Sequence, residues 1–151
     1  VLHPNPGEVA HAFEVPLAVP IAVGTSTIDQ SFVVQYPGNW LAYPQIRING
    51  PIIDCVIEQQ TTGEKLDFTG VTIPAGEWLD IDLRYGYKTI TDQDGDSQLA
   101  SLTEDSDLVT FHLAPVRPGE PARANSIRVT GSGANEATRV DLSYFVRYTG
   151  I

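Results

Sequence analysis

Apolar residues return at every second position in short runs along the chain, and most of these runs end at glycine or proline. A period of two is the spacing of a strand with one buried face and one wet face. In the clearest run, the last, Val140, Leu142, Tyr144, Val146 and Tyr148 share one face while Arg139, Asp141, Ser143 and Arg147 share the other. Gln45 to Asn49 turns Ile46 and Ile48 inward before Gly50-Pro51 forces a turn. Trp78 to Leu83 turns Leu79, Ile81 and Leu83 inward and leaves Trp78, Asp80 and Asp82 outside. Ile52 to Gln60 reads as a strand with Ile53, Cys55 and Ile57 on one face, ended by Thr61-Thr62-Gly63. Further strands are expected over Ser31 to Tyr36, Glu64 to Phe68, Val71 to Ile73, Leu108 to Leu113 and Ser126 to Thr130. Tyr85-Gly86 closes a hairpin into Tyr87 to Thr91, and a weaker run covers Gln98 to Thr103.

Phe13 to Val23 is apolar but carries Pro16 and Pro20, which an edge strand tolerates and a central one does not. Residues 1 to 12, with Pro4, Pro6 and Gly7, read as a loose arm or linker. No segment sustains a 3.6-residue apolar period over a helix length. Short alternating strands with frequent turns predict an all-β chain, and the expected architecture is one antiparallel β-sandwich, jelly-roll or galectin-like, over residues 13 to 151.

The first residue is Val1 and there is no methionine, so the chain is expected to be a piece of a longer protein. No apolar run approaches the roughly 18 residues that a membrane span needs. Cys55, the single cysteine, rules out an internal disulfide and is expected to be a buried thiol. The net charge of −10 argues against a nucleic-acid surface, which needs a basic footprint. The charge is unevenly spread: Glu77 to Asp107 holds nine acidic residues against Arg84 and Lys88, whereas Val116 to Gly150 holds five arginines against three acids. Such polarity suits docking on complementary surfaces, and it equally suits the solvated faces of an acidic domain.

Three blocks carry a resemblance. Trp40-Leu-Ala-Tyr-Pro-Gln-Ile-Arg-Ile-Asn-Gly-Pro51 is followed by Thr61-Thr-Gly-Glu-Lys-Leu-Asp-Phe68 and then by Pro74-Ala-Gly-Glu-Trp-Leu-Asp-Ile-Asp82. Asp94-Gly95, Asp105-Ser106-Asp107, Phe111-His-Leu-Ala-Pro115 and the closing strand Val140 to Gly150 continue the order. Taken together, residues 30 to 150 resemble the C-terminal domain of the distal tail protein family of long-tailed bacteriophages. The chain departs from the family at Val116 to Ala124, a longer turn than the family's compact one. The resemblance implies a galectin-like sandwich and a virion part rather than an enzyme. The part would be a spacer and docking surface at the tail tip of a phage or prophage, assembled in the bacterial cytoplasm. The implied partners are tail-tube, tail-tip hub and receptor-binding proteins, with a six-copy ring formed chiefly by a preceding N-terminal domain. No cofactor is implied.

Candidate chemistry is sparse. Asp92, Asp94 and Asp96 could converge on calcium, but Gly95 falls at the fourth position and Thr103 at the twelfth, against EF-hand spacing, so a tight turn at Asp94-Gly95 is expected instead. Asp80 and Asp82, one residue apart on a strand, read as its wet face rather than as an acid/base pair. His3, His11 and His112 are scattered, and Gly131-Ser-Gly133 lacks the lysine of a phosphate loop. Exposed aromatics have more physical content. Trp40, Trp78, Tyr85 and Tyr87 lie at turns or on an outer face, where such rings anchor protein interfaces, cap cores or stack on sugars. The candidate interface residues are these four with Arg139 and Arg147; the alternative to tail docking is a carbohydrate-binding module that contacts host-wall glycans.

Overall fold

Residues 8–18, as backbone, and residues 27–148 are described by a computed structural model. Alternating sequence becomes strand nearly throughout: β1 (Glu8–Ala18), β2 (Ile28–Tyr36), β3 (Gln45–Asn49), β4 (Ile52–Gln59), β5 (Glu64–Asp67), β6 (Thr72–Ile73), β7 (Trp78–Asp82), β8 (Thr89–Asp92), β9 (Arg123–Ser132) and β10 (Arg139–Arg147). One sheet runs β1-β10-β3-β7-β8, and the other β2-β9-β4-β5 with β6 beside the start of β4. Every pairing between these strands is antiparallel. The expected all-β antiparallel sandwich is present.

Inward residues of the two sheets form one core. Ile46, Ile48, Leu79, Ile81, Val140 and Leu142 of the first sheet join Val34, Tyr36, Ile57, Leu66, Ile127 and Val129 of the second. Burying each such large side chain contributes ~1.5–3 kcal/mol before the entropy of ordering is set against it. The predicted faces of β3 and β7 hold, and on β10 Val140, Leu142, Tyr144 and Val146 are buried, but Tyr148, expected on the same face, lies past the end of the strand and is exposed. Cys55 is buried as expected.

Several expectations are corrected. The strand expected from Phe13 begins at Glu8, inside the anticipated arm, and lies at a sheet edge, with Pro16 opposite Asp141. Residues 1–7 and the stretch from 19 to 23 fall outside the described residues. The face assigned to β4 is wrong at its start. Ile53 is exposed while Ile52, Cys55 and Ile57 are buried. The cause is a bulge: Asp54 takes a φ of 55° and the pairing with β9 shifts between Ile53 and Val56, which inverts the alternation at that point. The Asp54 carboxylate accepts the Gly70 N–H at 2.6 Å, fixing the loop that leads from β5 to β6.

Leu108 to Leu113 is not a strand. The Phe111 N–H bonds back to the Asp107 carbonyl at 2.8 Å, folding the segment into a turn that buries Phe111 and Leu113 without a ladder. Gln98 to Thr103 likewise holds a single 3-10 turn, Leu99–Ser101, rather than a strand. These loops cover edges. Asp107 N–H donates to the Lys65 carbonyl at 2.8 Å, and the Lys65 N–H donates to the Asp107 carboxylate at 3.0 Å, closing the open side of β5.

One buried polar pair fixes how the 111–114 loop meets the second sheet. Gln59 Nε2 donates to Asn125 Oδ1 at 2.9 Å and to the His112 carbonyl at 2.9 Å. Asn125 Oδ1 also accepts the Ala114 N–H at 2.7 Å, and Asn125 Nδ2 donates to the Ala114 carbonyl at 3.2 Å. Both amides are fully buried, so each lost partner leaves a polar atom with neither water nor protein. Asn125→Ala should lower unfolding stability by about 2–4 kcal/mol, read as a shifted urea midpoint with an unchanged slope.

Two buried groups give the fold an alkaline limit. Burial pushes the Cys55 thiol from 9.0 to about 12 and the Tyr36 phenol from 10.0 to about 12. The unfolded chain therefore sheds these protons first, so their contribution is full below pH 9 and is lost as pH rises from about 9 to 12. In Cys55→Ala the decline should begin about one pH unit later than in the parent chain, measured as urea midpoint against pH.

Candidate functional site

The outer face of the first sheet gathers most of the sequence-predicted residues. Antiparallel pairing sets Arg139 opposite Asn49 and Asn49 opposite Trp78, so these three share one end of the face. At the opposite end the chain enters β3 from Tyr43 and leaves β7 toward Arg84, Tyr85 and Tyr87, and β10 ends there at Arg147. Arg139 and Arg147 are eight residues apart on one strand, which is roughly 27 Å. The six candidates therefore form two groups.

The Arg147 end is the richer of the two. Tyr85 is 84% exposed, Tyr87 58% and Trp40 46%. Such large rings stay wet only where folding gives them nothing to pack on. A recess of about 360 Å³ is lined here by Ala42, Tyr43, Arg84, Tyr85, Tyr87, Phe145 and Arg147. The Arg84 guanidinium lies 4.3 Å from the centre of the Tyr87 ring and is held there by two bonds to Asp82, of 2.9 and 2.7 Å. Lys88 Nζ sits 3.4 Å from the Tyr43 ring centre, and its pKa is lowered chiefly by burial. Trp40 joins this end through its backbone, whose N–H donates to the Arg147 carbonyl at 3.2 Å.

A tyrosine in the second sheet positions the group. The Tyr36 hydroxyl donates to the Trp40 carbonyl at 2.6 Å and accepts the Arg147 N–H at 2.8 Å. Gly38 leaves room for it, since a β-carbon there would run into both that hydroxyl and the Arg147 carbonyl. Two distant parts of the chain, residues 36–40 and Arg147, thus meet at one oxygen.

The middle of the face is polar and self-neutralised. A depression of about 560 Å³ is lined by Gln45, Arg47, Asp80, Asp82, Thr89, Thr91, Asp141 and Ser143, with Ile46 and Ile81 contributing to its floor. Arg47 forms a two-pronged pair with Asp80 at 2.7 and 3.0 Å, and Arg139 meets Asp141 at 2.6 Å. At the far end the Arg47 guanidinium covers the Trp78 ring, 4.7 Å from its centre, so that ring face is already occupied. Trp78 is half-buried under its own arginine rather than standing as an open platform.

The remaining candidates have structural partners. The carboxylate oxygens of Asp92, Asp94 and Asp96 lie within 4.8 Å of one another. Asp92 is committed to the turn: Oδ1 accepts the N–H groups of Asp94 and Asp96 at 2.9 and 3.0 Å, and Oδ2 accepts the Gln98 amide at 2.9 Å. These bonds, led by Gln98, lower the Asp92 pKa. His112 Nδ1 lies 2.9 Å from the Glu64 carboxylate and 2.7 Å from the Thr110 carbonyl. His3 and the side chain of His11 fall outside the described residues.

Sequence reading missed Tyr43, Phe145, Arg84 and Lys88. Phe145 carried a signal, because it has the parity of Ser143 and Arg147 and so puts a large ring on the polar face of the last strand. Tyr36→Phe should cost about 1–2 kcal/mol of stability and shift the emission of Trp40, whereas Trp78→Ala should leave the fold intact; both are read by denaturant titration followed by fluorescence and circular dichroism. No family model, curated protein or solved structure matches this chain.

Proposed function

We propose that this chain is a docking module of a long-tailed phage or prophage tail tip, corresponding to the C-terminal domain of a distal tail protein. The observation that carries the reading is the meeting of exposed Tyr85 and Tyr87 with Arg147 in one recess, beside exposed Trp40, whose backbone bridges to Arg147. Tryptophan, tyrosine and arginine are the side chains that dominate binding energy at protein interfaces. Tyrosine and tryptophan present large rigid areas at little entropic cost, and arginine adds directed hydrogen bonds. A virion part that positions neighbours needs such an anchor on a stiff frame, and a two-sheet sandwich supplies one.

The resemblance supports the same reading. Its three blocks build the frame beneath this face: the first gives Tyr43, β3 and the Gly50-Pro51 turn, the second gives β5, and the third gives β7. In this reading the partners are tail-tube, tail-tip hub or receptor-binding proteins, and the module acts by binding rather than by catalysis. The six-copy ring belongs to the preceding domain that the resemblance implies.

Antibody raised against the chain and carrying gold should decorate the distal end of tails in particles from the encoding phage or prophage. Label elsewhere on the particle, or none on intact tails, would overturn the assignment. A Tyr85→Ala/Tyr87→Ala double variant should enter particles at least roughly tenfold less efficiently than the parent. Its melting temperature should stay within a few degrees of the parent, because both rings are solvent-exposed.

A further inference from the structure

Of the strands that end the two sheets, β1, β8 and β5 are blunted or covered. β1 carries Pro16, which has no N–H to offer, and a register shift between Glu8 and Ala12. β8 is met by the chain that follows it: the Gln98 N–H donates to the Ile90 carbonyl at 2.8 Å, and the Asp92 N–H to the Asp96 carbonyl at 3.0 Å. β5 lies under the 103–107 loop, where the Thr103 N–H donates to the Asp67 carbonyl at 2.9 Å beside the contacts of Asp107 with Lys65. β2, the remaining edge, has none of these devices. Its nine residues include no proline, glycine or lysine, and its register with β9 runs unbroken from Ile28 to Tyr36.

Hydrogen bonding shows which backbone groups of β2 are left over. Ser126 of β9 turns its backbone toward β4, where its carbonyl accepts the Gln60 N–H at 2.8 Å and its N–H donates to Thr61 Oγ1 at 2.9 Å. Val33 lies opposite Ser126, so its own N–H and carbonyl point away from β9. By the period of two, Asp29, Ser31, Val33 and Gln35 all turn their backbone groups to the outer edge, and all four residues are exposed. No backbone hydrogen bond among the described residues reaches that edge. Charge narrows the occupant. The chain carries −10, yet from Val15 to Ile46 its one charged side chain is Asp29, which Arg128 neutralises through two bonds of 2.8 Å. A charged partner finds nothing to complement there, whereas a second copy of the same edge meets no repulsion.

We propose that β2 pairs with β2 of a second copy of this chain, antiparallel about a two-fold axis at Phe32, joining the second sheets of two molecules into one. This register sets Ser31 opposite the partner's Val33 and Asp29 opposite the partner's Gln35, so the outward residues exchange roughly eight backbone hydrogen bonds. Phe32 points inward at the edge and is only part-buried; across the axis it meets the partner's Phe32, which covers it. The two Asp29 side chains end up about 20 Å apart, beyond a Debye length. Pairing runs in the plane of the sheet, so the Val33 side chain stays on the open outer face. The inference does not rest on tail docking, which uses the aromatic end of the sandwich. Association should change little with salt, because almost no charge takes part.

The test is sedimentation velocity of the purified chain over a concentration series from about 1 to 200 µM, together with two sets of variants. The parent should pass from monomer to dimer across the series. Val33→Pro removes an outward N–H and leaves the ladder to β9 in place, so it should weaken association at least roughly tenfold with the circular dichroism spectrum unchanged. Cross-linking tests the register independently and stays informative should Val33→Pro fail to fold. Ser31→Cys mixed with Val33→Cys should oxidise to a disulfide-linked dimer in far higher yield than either variant alone, because only the mixture places cysteines directly opposite one another. Cys55 is buried and stays out of the reaction. A parent that remains monomeric at the top of the series, a folded Val33→Pro that associates as well as the parent, or a mixture that cross-links no better than its components would overturn the proposal.

Discussion

One phenolic oxygen ties the two sheets together where the surface matters. Tyr36 belongs to β2 of the second sheet, yet its hydroxyl bonds to the backbone of Trp40 and of Arg147, which ends the first sheet. Its ring stands edge-on to Tyr144 of β10, with centroids 5.6 Å apart. The Tyr36 side chain is fully buried, so the hydroxyl has no water to fall back on and its bonds are an obligation of the fold. The same contact that closes the sandwich therefore sets the positions of Trp40 and Arg147. Stability and the shape of the aromatic end are one constraint.

Electrostatics add order more than strength. The acidic stretch from Glu77 to Asp107 and the arginine-rich stretch after Val116 are separate in sequence, and some of their charges pair locally, as Arg84 with Asp82 and Arg139 with Asp141, while others pair across the chain. Asp80 takes Arg47, Asp105 takes Lys65, and Arg128 takes Asp29. Exposed pairs of this kind contribute little each, and their main effect is to hold long side chains in one geometry. Charge segregation in the sequence thus becomes an interleaved surface. On the opposite sheet, Arg128 bridges Asp29 and Glu58.

Legibility in the sequence followed the strength of local signals. β3 was readable to the residue because Gln45-Ile-Arg-Ile-Asn49 alternates cleanly between Pro44 and Gly50-Pro51. β4 was misphased because Ile52 and Ile53 are both apolar, and nothing local tells which is buried until the bulge at Asp54 is seen. Phe111 and Leu113 show that burial does not require a strand, since a turn closed by Asp107 delivers both side chains to the core. Trp40, Tyr85, Tyr87 and Arg147 were recognisable one by one as surface candidates. Their convergence was not, because it depends on β10 lying beside β3 and β3 beside β7, an order set by long-range pairing. Trp78 looked equivalent to them and is not, because Arg47 two strand positions from its partner Asn49 lies across its ring.

The central claim is that the aromatic end around Arg147 is the working surface of the sandwich. Hydroxyl-radical footprinting of the free chain and of the chain within its native assembly tests this most directly, since tryptophan and tyrosine oxidise in proportion to their exposure. The account predicts strong protection of Trp40, Tyr85 and Tyr87 in the assembly, with Val33 on the opposite sheet, 54% exposed in the free chain, unchanged. Protection of Val33 with Tyr85 and Tyr87 still fully reactive would contradict it.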